Sequence, residues 1–221
     1  MAGTSKKAKS TNTKSKATNK VEPMDLALDA MASLVGKLGW QDVTLSDIAE
    51  ESGLGLAGLR RVTASKAGLL EHFVRRIDEA LLNQGAEVDP DDPPRDRLFD
   101  IMMKRFDLLQ PHRDFVRAVA RDMAFDPLAA LCLGCGRHRS SSWMLEVVGL
   151  STSGMRGALR AAGLNAIFLS VMRTWLKDES KDMSATMAHL DRQLGRADKF
   201  VNATSGGFFR RSVEEKGSQT T

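Results

Sequence analysis

Apolar residues recur at intervals of three and four along most of this chain, and this spacing limits the fold more than any other feature. The first such segment places apolar side chains at Ala27, Ala30, Met31, Leu34, Val35 and Leu38. That interval puts them on one face of a helix. The chain has nine Phe, three Trp and no Tyr, a composition that argues against an all-β fold. The sequence therefore predicts an all-α protein of about nine helices.

Capping residues in the first third of the chain outline three short helices followed by a longer one. Gly39 and Gly53 stand where a glycine would end the first two helices. Thr44, with an acid three residues later, has the pattern of a capping box and predicts a helix over 45–52. Ser65 is the predicted N-cap of the longer fourth helix. Three short helices, with a glycine in the turn that joins the second helix to the third, are typical of a helix-turn-helix.

A proline-rich acidic segment, 88–94, breaks any helix and separates two predicted domains. The first domain covers 22–87 and the second covers 95–198. Five further helical patterns follow the break, and the last three of these helices are expected to begin at Pro127, Ser153 and Asp182.

The formal net charge of +4 originates in the N-terminal tail, 1–21. The first twenty residues contain six lysines and no acid, whereas the remainder of the chain has slightly more acids than bases. Lys, Ser, Thr and Asn bury too little apolar area to order a segment, so a disordered basic arm is predicted there, with a second tail over 199–221. Such an arm attracts any polyanion, whether nucleic acid or anionic lipid.

Several classes of protein are disfavoured. No apolar stretch reaches the roughly 18–20 residues of a membrane span, and the first twenty residues lack the apolar core of a secretory signal. The two cysteines lie only three positions apart, which fits a reducing cytosol. We therefore expect a cytoplasmic protein, with peripheral attachment to the inner membrane as a further option.

Two short motifs were weighed against simpler interpretations. The segment 53–58 matches G-x-G-x-x-G, but a dinucleotide-binding loop follows a β-strand and none is predicted. Cys132, Cys135 and His138 have metal-ligand spacing, but a structural zinc site uses four ligands, and small core cysteines are the favoured interpretation. No serine, histidine and acid set emerges. We predict a non-catalytic protein without cofactor or metal.

Eight of the eleven methionines lie after residue 100. Flexible thioethers suit a lipid-like guest, although ordinary core packing gives the same periodicity. Small residues form one face of the long helix expected from Ser153, and this face is a predicted dimer contact or a site of close intrachain packing. Its members are Gly154, Gly157, Ala158, Ala161 and Ala162.

The order of residues over 24–72 resembles the TetR family of bacterial regulators. The matching segments are Leu28-Asp29-Ala30, Gly39-Trp40, Val43-Thr44-Leu45, Ile48-Ala49, Gly53-Leu54, Ser65-Lys66 and Leu69-Leu70. The resemblance implies that the third helix enters the major groove of DNA. The candidate DNA contacts are Thr44, Leu56, Arg60, Arg61 and Lys66. Over 45–66, however, three acids balance three bases, which weakens attraction to phosphates.

The second domain resembles the Coq-nine family of ubiquinone-biosynthesis accessory proteins from about 95 to 197. The resemblance rests on Arg97-Leu98-Phe99-Asp100, Met103-Lys104-Arg105-Phe106-Asp107, Asp126-Pro127, Trp143-Met144-Leu145-Glu146, Trp175 and Leu190-Asp191-Arg192. Members of that family share the TetR-like fold, form dimers, bind isoprenoid lipids at a membrane surface and present quinone intermediates to a hydroxylase. The resemblance implies a lipid pocket, for which the candidates on apolar faces are Phe99, Met102, Met103, Phe106, Trp143, Met144, Phe168, Val171 and Met172.

The sequence therefore supports two hypotheses on one fold. The first is a homodimer that binds an isoprenoid or quinone-type lipid and assists ubiquinone synthesis without catalysing a step. The second is a ligand-responsive TetR-type repressor that binds DNA through its helix-turn-helix. The first is favoured because the predicted recognition helix carries few bases.

Overall fold

A computed structural model of the protein describes residues 22–84, 89, 91–125 and 127–205, and nine α-helices lie within them. They are α1 (Pro23–Leu38), α2 (Leu45–Glu51), α3 (Gly55–Val62), α4 (Lys66–Gln84), α5 (Pro94–Leu109), α6 (Arg113–Asp122), α7 (Pro127–Val147), α8 (Gly154–Trp175) and α9 (Ser184–Ser205). Short 3-10 turns, Gln110–His112 and Met123–Phe125, flank α6. None of the described residues is in a strand, so the all-α prediction is confirmed. The predicted basic arm lies outside the described residues, as does the chain after Ser205.

The helix boundaries predicted in the first third of the chain are confirmed by their capping geometry. The Thr44 hydroxyl accepts the Asp47 amide at 3.3 Å, and the Asp47 carboxylate accepts the Thr44 amide at 2.8 Å. Gly39, with φ +102°, ends α1 and donates to the Val35 carbonyl. The Ser65 hydroxyl accepts the Gly68 amide at 3.0 Å at the start of α4. These local bonds satisfy backbone groups that a helix end leaves without partners.

A Schellman motif ends α7. Gly149, at φ +77°, donates to the Glu146 carbonyl, and Leu150 donates to the Leu145 carbonyl. Leu145 and Leu150 are both buried, which supplies the apolar contact that accompanies this motif. The chain therefore turns sharply toward α8.

The start and end of α9 differ from the prediction. The helix begins at Ser184 instead of Asp182, and it continues to Ser205 through the first part of the tail predicted over 199–221. Met183 has a left-handed backbone, φ +52°, which prevents the helix from starting earlier. The Asp182 carboxylate does accept the Ser184 amide, at 3.3 Å.

The main anchor of α9 is the buried carboxylate of Asp178, which the sequence prediction missed. It accepts the Thr186 amide at 2.8 Å, the Thr186 hydroxyl at 2.7 Å and the Ser180 amide at 3.1 Å. Burial by itself would raise the pKa of Asp178, but the hydrogen bonds from Ser180 and Thr186 outweigh it and lower the pKa to about 2. This acceptor lies outside the helix that it stabilises, so helical periodicity gives no sign of it.

A single apolar cluster continues through both predicted domains. Helix α1 packs against α6, and α4 packs against α5 and α7. An ion pair also crosses the boundary, because buried Arg105 of α5 binds Asp78 of α4. Ser140 of α7 donates its hydroxyl to the same carboxylate. Helix α4 is therefore shared between the two halves of the protein.

Replacement of the α9 anchor has a pH-dependent effect that denaturation can measure. We expect Asp178→Ala to lower the free energy of unfolding by about 2 kcal/mol near pH 7, because hydrogen bonds to a charged acceptor are lost. The folded pKa lies below the unfolded one, so this contribution is complete above about pH 4 and decreases as the pH falls toward the folded pKa. Urea denaturation followed by circular dichroism at several pH values measures it. Asp182→Ala is the control, with an expected change below about 0.5 kcal/mol, and a pH-independent effect of Asp178→Ala would contradict the assignment.

Candidate functional site

An apolar cavity of about 240 Å³ lies between α4, α5, α6, α7 and α8. Aromatic rings form much of its wall. Phe73 of α4 meets Phe115 of α6 edge to face, with ring centroids 4.8 Å apart, and Phe168 contributes from α8. Aliphatic side chains such as Leu70 and Met172 complete the lining. The cavity suits a small guest with an apolar body.

Three arginines are the charged residues among the described residues that line the cavity, and none of those described lining residues is an acid. Arg105 is neutralised by its buried ion pair with Asp78. Arg137 of α7 is half-buried, and its Nε is shielded from solvent without a hydrogen-bond partner. Burial lowers the pKa of the Arg137 guanidinium. Arg173 of α8 is exposed. Among the described residues, neither Arg137 nor Arg173 forms an ion pair, so the cavity wall has an excess of positive charge.

Only two of the nine lipid-contact candidates line this cavity, namely Phe168 and Met172. Four others are buried in the core and do not line this cavity: Met102, Phe106, Met144 and Val171. Phe106, for example, stacks on Phe168 with ring centroids 5.3 Å apart. A helical period predicts which face is buried, but it does not distinguish side chains that fill the core from side chains that border a void.

The remaining three candidates lie elsewhere. Phe99 lines a shallow groove between α5 and α9, together with Met187. Met103 is half-buried against the core. Trp143 is 52% exposed on α7. The cavity residues outside the candidate list come mainly from α4 and α6, because the sequence analysis places α4 wholly in the helix-turn-helix domain. Nothing in the sequence distinguishes Arg137 from Arg139, which lies two residues further along the same helix.

Helices α2 and α3 form the predicted helix-turn-helix and pack on α1. The turn between α2 and α3 contains Gly53 and Gly55, whose φ angles are +69° and +64°. Residues with a side chain rarely adopt a positive φ, so this turn favours glycine at both positions. Leu59 is buried beneath α3, and the opposite face exposes Leu56, Arg60 and Arg61. Since helix α2 precedes the G-x-G-x-x-G segment, that segment lacks the strand of a dinucleotide-binding loop.

Two of the five DNA-contact candidates have structural roles instead. The Thr44 hydroxyl is used in the α2 capping box. The Lys66 ammonium donates to the carbonyls of Trp40 and Val43, and it lies 4.5 Å from the centroid of the Trp40 ring. The Lys66 ammonium is therefore directed into the protein, and its role in DNA contact stays a prediction. Arg60 and Arg61, with Leu56, remain as the outward-facing candidates.

The loop that Lys66 holds is also tied to α6. The Trp40 backbone amide donates to the Asp122 carboxylate at 2.8 Å, and the Trp40 side chain is 1% exposed. A hydrogen bond from Arg121 lowers the pKa of Asp122, so its carboxylate stays charged at neutral pH. The entry to α2 is thus fixed by α4 and α6, and both helices line the cavity.

The small-residue face of α8 is divided between two environments. Gly157 and Ala161 are buried, and a side chain at Gly157 would collide with the backbone of Thr152. Gly154, Ala158 and Ala162 are exposed. Two large apolar side chains of the same helix are also exposed, Met155 by 78% and Leu159 by 65%. Part of the face therefore serves packing within the chain, and part remains open to solvent.

The remaining sequence motifs add no site among the described residues. No group of three or more His, Cys, Asp or Glu there is placed to hold a metal ion. His138 is exposed, whereas the side chains of Cys132 and Cys135 lie outside the described part of the chain. No helix in that part is long and apolar enough to cross a bilayer.

Solved structures similar to this fold are TetR-type regulators. The TetR transcriptional regulator from Nitrosomonas europaea ATCC 19718 aligns with a TM-score of 0.62 at 23% identity, covering 79% of this chain and 97% of that one. A Rhodococcus sp. structure assigned to the TetR family of transcriptional regulators aligns with a TM-score of 0.58 at 17% identity, with the same coverage. The fold is therefore TetR-like. No protein-family model and no curated protein matches the chain, so the Coq-nine resemblance rests on sequence motifs alone.

The half-buried Arg137 side chain is expected to reduce the stability of the empty protein. Arg137→Met removes a charge that has no ion-pair partner among the described residues, and it keeps much of the apolar volume. We therefore expect unfolding to require about 1 kcal/mol more free energy, which corresponds to a melting temperature about 2–4 °C higher. Differential scanning calorimetry measures the change. Arg139→Met is a matched control on the same helix, because Arg139 pairs at the surface with Glu71 and should contribute little. A melting temperature for Arg137→Met at or below that of the control would contradict this account.

Proposed function

We propose that the protein is a non-catalytic, ligand-responsive regulator that binds DNA as a homodimer in the cytoplasm. The observation that carries this proposal is the double use of α4. Its residues Leu70 and Phe73 line the cavity. Its first residue, Lys66, donates hydrogen bonds to carbonyls of the loop that leads into α2. A ligand in the cavity therefore acts on the same helix that positions the DNA-contacting module.

DNA contact is assigned to the outward face of α3. Arg60 and Arg61 are exposed there, beside the apolar side chain of Leu56. Arginine on a recognition helix reads guanine through paired hydrogen bonds or neutralises a phosphate. The near-neutral charge of α2 and α3 predicts weak attraction to random DNA, so affinity depends on a few specific contacts.

The response to ligand is assigned to two arrangements of α4. A guest that fills the space beside Phe73 and Phe115 favours one spacing of α4 and α6 over another. Because both helices hold Trp40, a change in that spacing moves the entry to α2. In a dimer, the two recognition helices must lie about 34 Å apart to reach successive major grooves, so a small shift weakens binding at both half-sites.

The homodimer is supported by the open face of α8. Met155, Ala158, Leu159 and Ala162 lie at helical spacing on that face, and all four are exposed in the single chain. A self-complementary patch of this kind buries itself against a second copy related by a two-fold axis.

Isoprenoid or quinone-type lipid binding, with a membrane surface and a ubiquinone-pathway hydroxylase as partners, is the second candidate function. The apolar lining of the cavity favours it. The cavity volume of about 240 Å³ limits the guest, since about 150 Å³ already holds benzene and each isoprene unit has five carbons. About two isoprene units therefore fit, and a longer chain requires the cavity to open.

DNA binding can be tested by selection from a random duplex library. The full-length protein should enrich a two-fold symmetric sequence and bind it in the nanomolar range at physiological salt. Arg60→Ala and Arg61→Ala should each weaken that binding by about tenfold or more, because base or phosphate contacts are lost. Arg75→Ala is the control, since Arg75 makes an exposed pair with Glu79 on α4. Failure to enrich any sequence, or equal losses in all three variants, would overturn the proposal.

The lipid alternative has its own test. Purified protein is extracted with organic solvent and analysed by mass spectrometry. A stoichiometric isoprenoid would favour the second function, whereas an extract no richer in isoprenoids than a protein-free control would exclude a resident lipid of this class.

A further inference from the structure

We infer that the cavity takes a small amphipathic anion, a monocarboxylate with an apolar body of about one ring or a medium-length alkyl chain. This inference rests on the proposed function, because it names the ligand class of the same site. It is carried by the charge balance of the wall, by the burial of one arginine and by the size of the cavity.

The charge balance of the described wall favours a negatively charged guest. Arg105, Arg137 and Arg173 line the cavity, and no acid is found among the lining residues that the structure describes. Asp78 neutralises Arg105 from behind the wall. Arg137 and Arg173 have no ion-pair partner in the part of the chain that the structure describes. An anion in the cavity gains attraction from both cations, and no described lining residue supplies an opposing carboxylate.

The environment of Arg137 makes it the main headgroup contact. Its Nε is shielded from solvent and has no hydrogen-bond partner among the residues that the structure describes. A charged donor withdrawn from water without a partner is unfavourable, and the protein recovers that free energy when a ligand oxygen accepts the bond. The planar guanidinium matches a carboxylate through two parallel hydrogen bonds, and a hydroxyl or an amide cannot supply two equivalent charged acceptors.

The size and the wall of the cavity define the rest of the guest. A cavity of roughly 150 Å³ is large enough to bind benzene. This cavity has a volume of about 240 Å³, so it can hold a few more atoms than benzene has. Phe73, Phe115 and Phe168 offer ring faces and edges, and the aliphatic side chains between them offer no polar partner. The guest therefore has one polar end and a compact apolar body.

Calorimetric titration of the full-length protein compares octanoate with 1-octanol, which has the same chain length without the charge. We expect octanoate to bind at least tenfold more tightly, because a charge-assisted pair forms only with the carboxylate. Arg137→Met should abolish this preference, and Arg173→Met should reduce it by a smaller factor because Arg173 is exposed. Arg139→Met, which removes the same charge on the same helix away from the cavity lining, should keep the preference intact.

Each outcome bears on the inference. Equal affinity for octanoate and 1-octanol, no octanoate binding, or equal loss of the preference in Arg137→Met and Arg139→Met would overturn it. Circular dichroism confirms that the variants are folded, and Arg173→Met provides an independent variant at an exposed position. Binding is measured without DNA, so octanoate selectivity in a protein that enriches no DNA sequence would overturn the regulator proposal and leave the ligand class standing.

Discussion

The placement of α2 and α3 on the rest of the protein depends on the hydrogen bond between the Trp40 backbone amide and the buried Asp122 carboxylate. Trp40 lies in the loop between α1 and α2, and Lys66, the first residue of α4, binds the carbonyls of the same loop. Trp40 thus forms hydrogen bonds with two of the five helices that line the cavity, donating its amide to α6 and accepting at its carbonyl from α4. Since its ring is almost fully buried, the loop has little freedom of its own, and the helix-turn-helix follows the helices that hold it.

Local chemistry explains why much of the fold was predictable. Thr44, Ser65, Gly39 and Gly149 each end or begin a helix through bonds to residues within five positions, and such patterns are visible in a sequence. The start of α9 was less predictable, because the acceptor that anchors it is six residues away from the helix in a loop. The start of α9 is set by the Asp178 carboxylate and by the left-handed backbone of Met183, and neither feature changes the apolar periodicity of the sequence.

The binding site was less predictable than the fold, and the reason is geometric. Apolar periodicity correctly placed Met102, Phe106 and Val171 in the interior, but a cavity is defined by what the interior leaves unfilled. That depends on how five helices meet, and α4 and α6 supply much of the wall. For Lys66 the sequence also gives an incomplete picture. A lysine beside a predicted recognition helix suggests DNA contact, but its bonds to the loop carbonyls appear only in the structure.

The shared position of α4 has a thermodynamic consequence. If occupancy of the cavity changes the affinity for DNA by some factor, then occupancy of the DNA site must change the affinity for the ligand by the same factor. In the proposed regulator, the ligand concentration that half-fills the cavity would therefore differ between the free protein and the protein bound to DNA. The affinity for the ligand would then depend in part on the DNA that the protein occupies.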